Sequence, residues 1–491
     1  MTNRRAALLL AGLLGLGCGD STPKTLPPAG QVLLYVDTDA PLPAAAGATL
    51  GPGDPPALFD RVRIEVFGPG ERLPCADCTH EFDVDRTLVG SGKASVGITT
   101  PPRVSGYVAR VRLFHAAFVE LGEPRDDATI DVTVALPATQ DEGITPVTVV
   151  LPTDAVAAPV GSLDEPATPE LRAPTGGLAG TWPGAQRVPC SGSARPGEVC
   201  VPGGASWMGH PAMRAYHVEG DELRYRIAVH SPFFIDATEV DVGALRRLGA
   251  AKPGDPLRYY VPVAGGPPAS ARSPLHCTYT DVPGDDETLP VNCISWETAR
   301  AHCQARGADL PTEAQHEYVT GALVGRLFPW GDDAPSCSDA VYARPGNVIS
   351  PEDRCPGAWV MPPGSAGRDV VSLPDGVVMD LAGNVSEHAL DFWNRSSEAC
   401  HRTGVIVDPF CDKPSAYPAG ASQKMGPPGD SPPPPRTRMG GSFALLAAAL
   451  AAPFRRPASP FVGAVFGPEG GALFGVEMAS TGFRCARPAT P

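Results

Sequence analysis

The residues of this 491-residue chain with the most chemical potential are its 13 cysteines. Cys75-x-x-Cys78 has the spacing of a redox pair, a zinc pair or a short structural disulfide. No second CxxC accompanies it, and it falls in a loop between strand-like runs rather than at a helix start. A structural disulfide is therefore expected, with the redox and metal readings left open. Cys190 with Cys200, Cys337 with Cys355, and Cys400 with Cys411 also lie close enough to close short loops, although connectivity does not follow from sequence alone. Setting Cys18 aside leaves 13 − 1 = 12 cysteines, an even number that suits disulfides in an exported protein. Gly90-Ser-Gly-Lys93 ends like a phosphate loop, but the leading Gly is missing and Ala94 replaces the metal-binding hydroxyl, so it reads as a hairpin turn. The 10 histidines are scattered. They form no His-x-x-x-His, no His-Glu-x-x-His, and no Ser-His-Asp arrangement with a local signature.

Stepping outward, the start of the chain reads as an export signal. Arg4 and Arg5 precede an uncharged apolar stretch, Ala6 to Gly17, which is too short to span a bilayer comfortably. Cys18 follows at the cut site, an arrangement that resembles the bacterial lipobox. The position three residues before it is Gly15 rather than Leu, with Leu14 and Leu16 beside it. The expected layout is a signal peptide over 1–17, a lipid on Cys18 and a tether over 18–30. This places the protein in the bacterial cell envelope, membrane-anchored in the periplasm or at the outer surface. A formal charge of −15 argues against nucleic acid as a partner. With 55 Gly and 58 Pro the chain is loop-rich and not mainly helical.

Residues 31–153 read as a β-sandwich. Gln31 to Asp37, Arg61 to Phe67, Tyr107 to Phe114, Thr129 to Leu136 and Thr148 to Leu151 are strand-like, several with period-two alternation that buries one face. Residues 154–187 are rich in Ala, Pro, Gly and Thr without clear periodicity, and read as a linker or loosely packed crossing segment. Residues 188–491 carry a helix capped by Ser295 and ending at Gly307. A second helix starts at Thr312, where Thr312-x-x-Gln315 has the form of a capping box.

This last block holds an ordered series of motifs. They are Val201 to Gly209, Pro232 to Val240, Pro290 to Trp296, Leu310 to Tyr318, Phe328 to Gly331, Met379 to Glu387, Gly440 to Phe443 and Gly482 to Arg484. In this order they resemble the formylglycine-generating enzyme, or sulfatase-modifying factor, family. The resemblance implies an α+β fold with much irregular structure, a variant of the C-type-lectin fold. Active members hold Cu(I) on two cysteines just after the Gly-Gly-Ser-aromatic motif and oxidise a substrate cysteine to formylglycine. Here those positions are Leu445 and Leu450, and no cysteine lies between Cys411 and Cys485. Leucine offers no soft ligand. Catalysis is therefore not expected, copper is not expected to bind, and Ala444 to Ala452 reads as buried packing. His316 and His388 stand where the family carries tryptophan, either as new ligands or as surface or pocket-edge substitutions.

The resemblance also implies a structural calcium held by Asp380, Glu387 and the carbonyls of Gly383 and Val385, and a second at Asn347 and Val348 with Asp353 a possible partner. Hard oxygen donors suit that ion. It further implies a disulfide between Cys303 and Cys485, which leaves Cys277 with Cys293. The functional expectation is an envelope lipoprotein that presents a catalytically degenerate domain to an envelope or extracellular protein or glycan. A divergent metal-dependent oxidase and a purely structural envelope component are the alternatives. The insertion Pro414 to Arg438, with a proline run at 432–435, is expected to form a stiff loop beside the vestigial catalytic segment.

Overall fold

The computed structural model describes residues 30–45, 48, 54–216, 224–248, 277–279, 282–344, 354–357, 359–395, 400–414, 434–458 and 480–489. Cys18, Asn347, Val348, Asp353 and most of the Pro414–Arg438 insertion lie outside these residues.

Two sheets form the N-terminal part. The first combines β1 (Gln31–Asp37), β4 (Ser95–Ile98) and β9 (Ile144–Val150) in the order β4-β1-β9. The second has the order β3-β2-β5-β8, from β2 (Arg61–Phe67), β3 (Pro74–Asp83), β5 (Val108–Phe114) and β8 (Thr129–Ala135). Alternation explains both. In β2, Val62, Ile64 and Val66 point into the shared core, while Arg61, Arg63 and Glu65 face out. The outward charges pair across strands. Arg112 meets Glu65 at 2.7 Å and Arg63 meets Glu81 at 2.7 Å. Glu123 reaches both arginines, at 2.9 and 3.2 Å, from the hairpin of β6 (Val119–Glu120) and β7 (Glu123–Pro124).

Gly90-Ser-Gly-Lys93 is not a hairpin turn. It ends a short helix, α1 (Arg86–Gly90), and Gly92 takes the left-handed conformation with φ +67°. Residues 154–187 are mostly exposed or half-buried, and a few of them anchor the segment. Trp182 is 4% exposed, its Nε1 donates to Asp154 at 2.9 Å, and Val156 and Ala185 join the sandwich core. Ala167 bridges to Val134 and Glu170 to Thr148.

The C-terminal part has many small sheets and few helices. β10 (Glu198–Val201), β13 (Phe233–Asp236) and β21 (Ala486–Pro488) form one sheet in the order β10-β13-β21. β11 (Gly204–Met208), β12 (Arg226–His230) and β17 (Val405–Val407) form another. β14 (Val370–Leu373) and β15 (Gly376–Met379) make a hairpin. The sheet that organises the site has the order β19-β18-β16-β20, with β16 (Ser386–Phe392), β18 (Arg436–Met439), β19 (Arg455–Ala458) and β20 (Thr481–Gly482). The helices are α2 (Val242–Leu248), α3 (Trp296–Ala305) and α4 (Glu313–Thr320). Ser295 caps α3 by accepting from Thr298 N–H, and Thr312 and Gln315 form a reciprocal capping box on α4. Such caps are worth about 1 kcal/mol each.

The two parts share one continuous core. Trp207 of β11 packs on Phe59 and Phe118 of the sandwich, with ring centroids 5.7 and 4.8 Å apart, and its Nε1 donates to the Leu58 carbonyl at 2.7 Å. Phe118 also meets Tyr225 at 4.6 Å. Disulfides join Cys75–Cys78, Cys190–Cys200, Cys277–Cys293, Cys303–Cys485, Cys337–Cys355 and Cys400–Cys411. Six such bridges point to an oxidising, exported environment. Among the described residues no helix is long and apolar enough to cross a membrane.

Candidate functional site

Gly482-Phe-Arg-Cys485 runs from β20 toward β21 and is clamped from both sides. The Cys303–Cys485 bridge ties it to α3, and Cys485 N–H donates to Asp236 Oδ2 at 2.9 Å. This holds Arg484 with no solvent exposure. Its Nε reaches both oxygens of Glu387, on β16, at 2.9 and 2.7 Å, and its Nη2 reaches Oε1 at 2.6 Å. The remaining N–H groups donate to the carbonyls of Asp236, Met379 and Asp380 at 2.9–3.2 Å.

Three more buried carboxyls surround this pair. Asp369 accepts from the backbone N–H groups of Leu381, Ala382 and Gly383, fixing the turn in which Asp380 and Asn384 take positive φ. Asn384 Nδ2 donates to Glu239 at 3.2 Å and to the Met361 carbonyl at 3.0 Å. Burial first, then the neighbouring Asp380, pushes Asp369 up to about 7 and Glu239 well above the usual carboxylate range. Burial also raises Glu387, even beside Arg484.

Of the residues named for calcium, the two carboxylates are already engaged. Both Glu387 oxygens face Arg484, and Asp380 accepts from Gly364 N–H. Among the described residues no group of three or more His, Cys, Asp or Glu is placed to hold a metal. Glu387 does not present a free oxygen to a calcium ion: a dication would have to displace an arginine that already balances it. The side chain of Val385 is buried, and Gly383 N–H points to Asp369.

The Gly-Gly-Ser-aromatic segment lies against the same turn. Gly441 N–H donates to the Ala382 carbonyl at 2.8 Å, and a Cβ there would come within 2.7 Å of that oxygen. Glycine is therefore required by close approach. Leu450 is fully buried with Phe328, Ala340, Tyr342 and Ala382. Leu445 is half-buried, and Leu446 is 52% exposed. The segment is therefore not uniformly buried: a short 3-10 turn, Ala447–Leu450, rotates Leu446 outward.

His316 and His388 are not surface or pocket-edge residues. His316 is 1% exposed, with Nδ1 3.2 Å from Thr320 Oγ1 and Nε2 3.6 Å from Glu387, and burial holds it neutral, near 3. His388 hydrogen-bonds the Ile294 carbonyl at 2.9 Å, and burial lowers it to about 4. Sequence reading missed Glu239, Asp369 and Arg484 as one network. Glu239 and Arg484 lie inside the quoted motifs, but nothing in a single sequence says that they face each other.

Chemically, the assembly is a locked structural hub. Every described cysteine is in a disulfide, so none is available as a thiolate.

With this geometry the chain's relationships are clear. The family described as sulfatase-modifying factor enzyme 1-like domain matches residues 186–489. The chain belongs to that family. It is 30% identical over 177 residues to a formylglycine-generating enzyme of Streptomyces coelicolor, covering 29% of this chain and 54% of that protein. It is 48% identical over 45 residues to the inactive C-alpha-formylglycine-generating enzyme 2 of Bos taurus, covering 9% and 15%. The chain thus spans about half or less of the length of these relatives. Among solved structures it is similar to PvdO from Pseudomonas aeruginosa, at 19% identity and a TM-score of 0.36, covering 59% of this chain and 94% of that one.

Proposed function

We propose that this protein is a non-catalytic member of its family, an envelope lipoprotein anchored through Cys18 that presents its C-terminal domain to a protein or glycan. One observation carries the reading. Leucines occupy positions 445 and 450, where the active members need thiolates, and every cysteine among the described residues is tied in a disulfide. Cu(I) requires soft ligands, which leucine and a disulfide do not supply. The network around Arg484 and Glu387 then has a structural task, holding the Gly383–Asn384 turn and the Gly440–Phe443 segment in place for loop display.

The test is incubation of the purified protein with Cu(I), oxygen and a cysteine-containing peptide, with aldehyde read by a carbonyl-reactive probe. No aldehyde above the protein-free control is expected. Aldehyde formed in proportion to protein would establish the oxidase reading instead.

A further inference from the structure

Among the described disulfides, Cys75–Cys78 differs from the others in three ways. The first is exposure. Cys75 is exposed and Cys78 half-buried, whereas each of the other five bridges has a buried cysteine, namely Cys200, Cys293, Cys303, Cys355 or Cys411. In thiol–disulfide exchange one sulfur is attacked and the other must leave as a thiolate. Burial disfavours that thiolate, so a bridge with a buried end resists exchange even where its other end is open.

The second is loop length. The ring of Cys75–Cys78 spans 3 positions, and the next shortest, Cys190–Cys200, spans 10. Chain entropy favours opening the shorter ring about sixfold, the ratio of loop lengths to the power 3/2. Asp77 inside the ring takes the left-handed conformation with φ +58°, which residues other than glycine rarely adopt and which opening the ring would relax.

The third is position. Cys75 and Cys78 lie at the start of β3, the outermost strand in the order β3-β2-β5-β8, and no described strand pairs with its other side. The ladder from Arg61–Asp83 to Glu65–Thr79 lies beyond the ring. It is reinforced by Arg61 with Asp83 at 2.8 Å and Arg63 with Glu81 at 2.7 Å, and β2 is paired along its length to β5. Opening the ring therefore leaves the sheet standing. The free side of an edge strand also gives an extended backbone a place to dock beside the sulfurs.

We propose that Cys75–Cys78 is a thiol–disulfide exchange site that accepts two electrons from an exported dithiol protein. A partner thiolate attacks the exposed Cys75 Sγ. A partner–Cys75 bond forms, the Cys75–Cys78 bond breaks, and Cys78 Sγ leaves with the electron pair and takes up a proton. The partner's second thiolate attacks its own sulfur in the mixed disulfide, closing the partner's disulfide and releasing Cys75 as a thiolate that takes up the second proton. Both protons are those that the partner's thiols gave up. The site belongs to the sandwich alone and does not depend on the non-catalytic reading of the C-terminal domain.

The test equilibrates the folded full chain with graded ratios of reduced to oxidised dithiothreitol. Free thiols are blocked with N-ethylmaleimide, and the bridges are mapped by mass spectrometry. Cys75–Cys78 should be half-reduced at a ratio at least about sixfold below that of any other bridge, with far-UV circular dichroism unchanged. A thioredoxin-class dithiol protein in place of dithiothreitol should reduce this bridge alone. In Cys78→Ser, the remaining Cys75 should form a mixed disulfide with oxidised glutathione, and in Cys75→Ser the half-buried Cys78 should do so severalfold more slowly. The titration of the natural chain carries the test should either variant fail to fold. Reduction of another bridge first or together with this one, loss of the circular dichroism signal as it opens, or no reduction by the dithiol protein overturns the assignment. Aldehyde formation in the peptide assay would overturn the non-catalytic reading and leave this site standing.

Discussion

Replacing Arg484 by Met tests whether the buried pair is the hub of the C-terminal fold. The methionine fills similar space but leaves Glu387 without its partner, 1% exposed beside Asp380. Glu387 can escape the full penalty by taking up a proton. At pH 7 the cost of protonating a carboxyl with an unperturbed value near 4.3 is about 1.36 × 2.7, or roughly 3.7 kcal/mol. The carbonyls of Asp236, Met379 and Asp380 also lose a donor, at about 0.5–1.5 kcal/mol each. The sum, about 5–8 kcal/mol, starts at the top of the ~3–5 kcal/mol typical of breaking one partner of a buried pair. The sign with pH follows. In the variant, Glu387 has a folded pKa above its unfolded value. The proton penalty is absent below about pH 4.3 and grows as pH rises, so at pH 5 it should shrink to about 1 kcal/mol. Urea unfolding followed by tryptophan fluorescence at pH 5 and 7 reads both values. Adding Glu387→Leu removes the stranded carboxyl and should restore at least about 2 kcal/mol at pH 7. A loss under about 1 kcal/mol, a loss independent of pH, or a double variant no more stable than the single one would refute the reasoning.

Other sites give independent checks. His316 has its folded value lowered to about 3, so the unfolded chain binds its proton first, and stability is lost as pH falls below about 6.5. Between pH 7 and 4.5 this histidine should cost about 2–3 kcal/mol, and His316→Phe should lose that much less in urea titrations at the two pH values. Glu317 behaves oppositely: burial raises it to about 7, so its contribution is full below about 4.5 and lost as pH rises through 7. Glu317→Gln, whose carbonyl can still accept from Gly209 N–H, should gain up to about 3 kcal/mol at pH 8 and little at pH 4, measured the same way. Removing Cys303–Cys485, which spans 182 residues, should cost about 5 kcal/mol. Removing Cys75–Cys78, which spans 3, should cost only about 1.5 kcal/mol, read by calorimetry.

Much of the architecture was legible because it obeys short-range rules. β1 and β2 appear at the expected residues because period-two burial and strand propensity agree there. Ser295 and Thr312 announce α3 and α4 because capping is written within four residues. The family motifs were readable as an ordered set, and the family follows from them. What stayed hidden depends on long-range contact. β3, which holds Cys75 and Cys78 in a strand rather than in the expected loop, carries a mostly exposed pattern that lacks a buried face to betray it. Residues 154–187 have a linker's composition, yet Trp182 anchors them in the sandwich core. Arg484 and Asp236 are 248 positions apart, and no local signal joins them. Burial of His316 and His388 likewise follows from the β16–α4 packing rather than from their own neighbours.

The central claim is that the catalytic metal chemistry of the family is lost in this chain, and copper stoichiometry tests it most directly. The purified protein and its Leu445→Cys/Leu450→Cys variant would be loaded with Cu(I) under reducing conditions that spare the buried disulfides, dialysed, and measured by mass spectrometry. The account predicts no stoichiometric copper in the natural chain and a gain only in the double-cysteine variant. One tightly held copper per natural chain would contradict it.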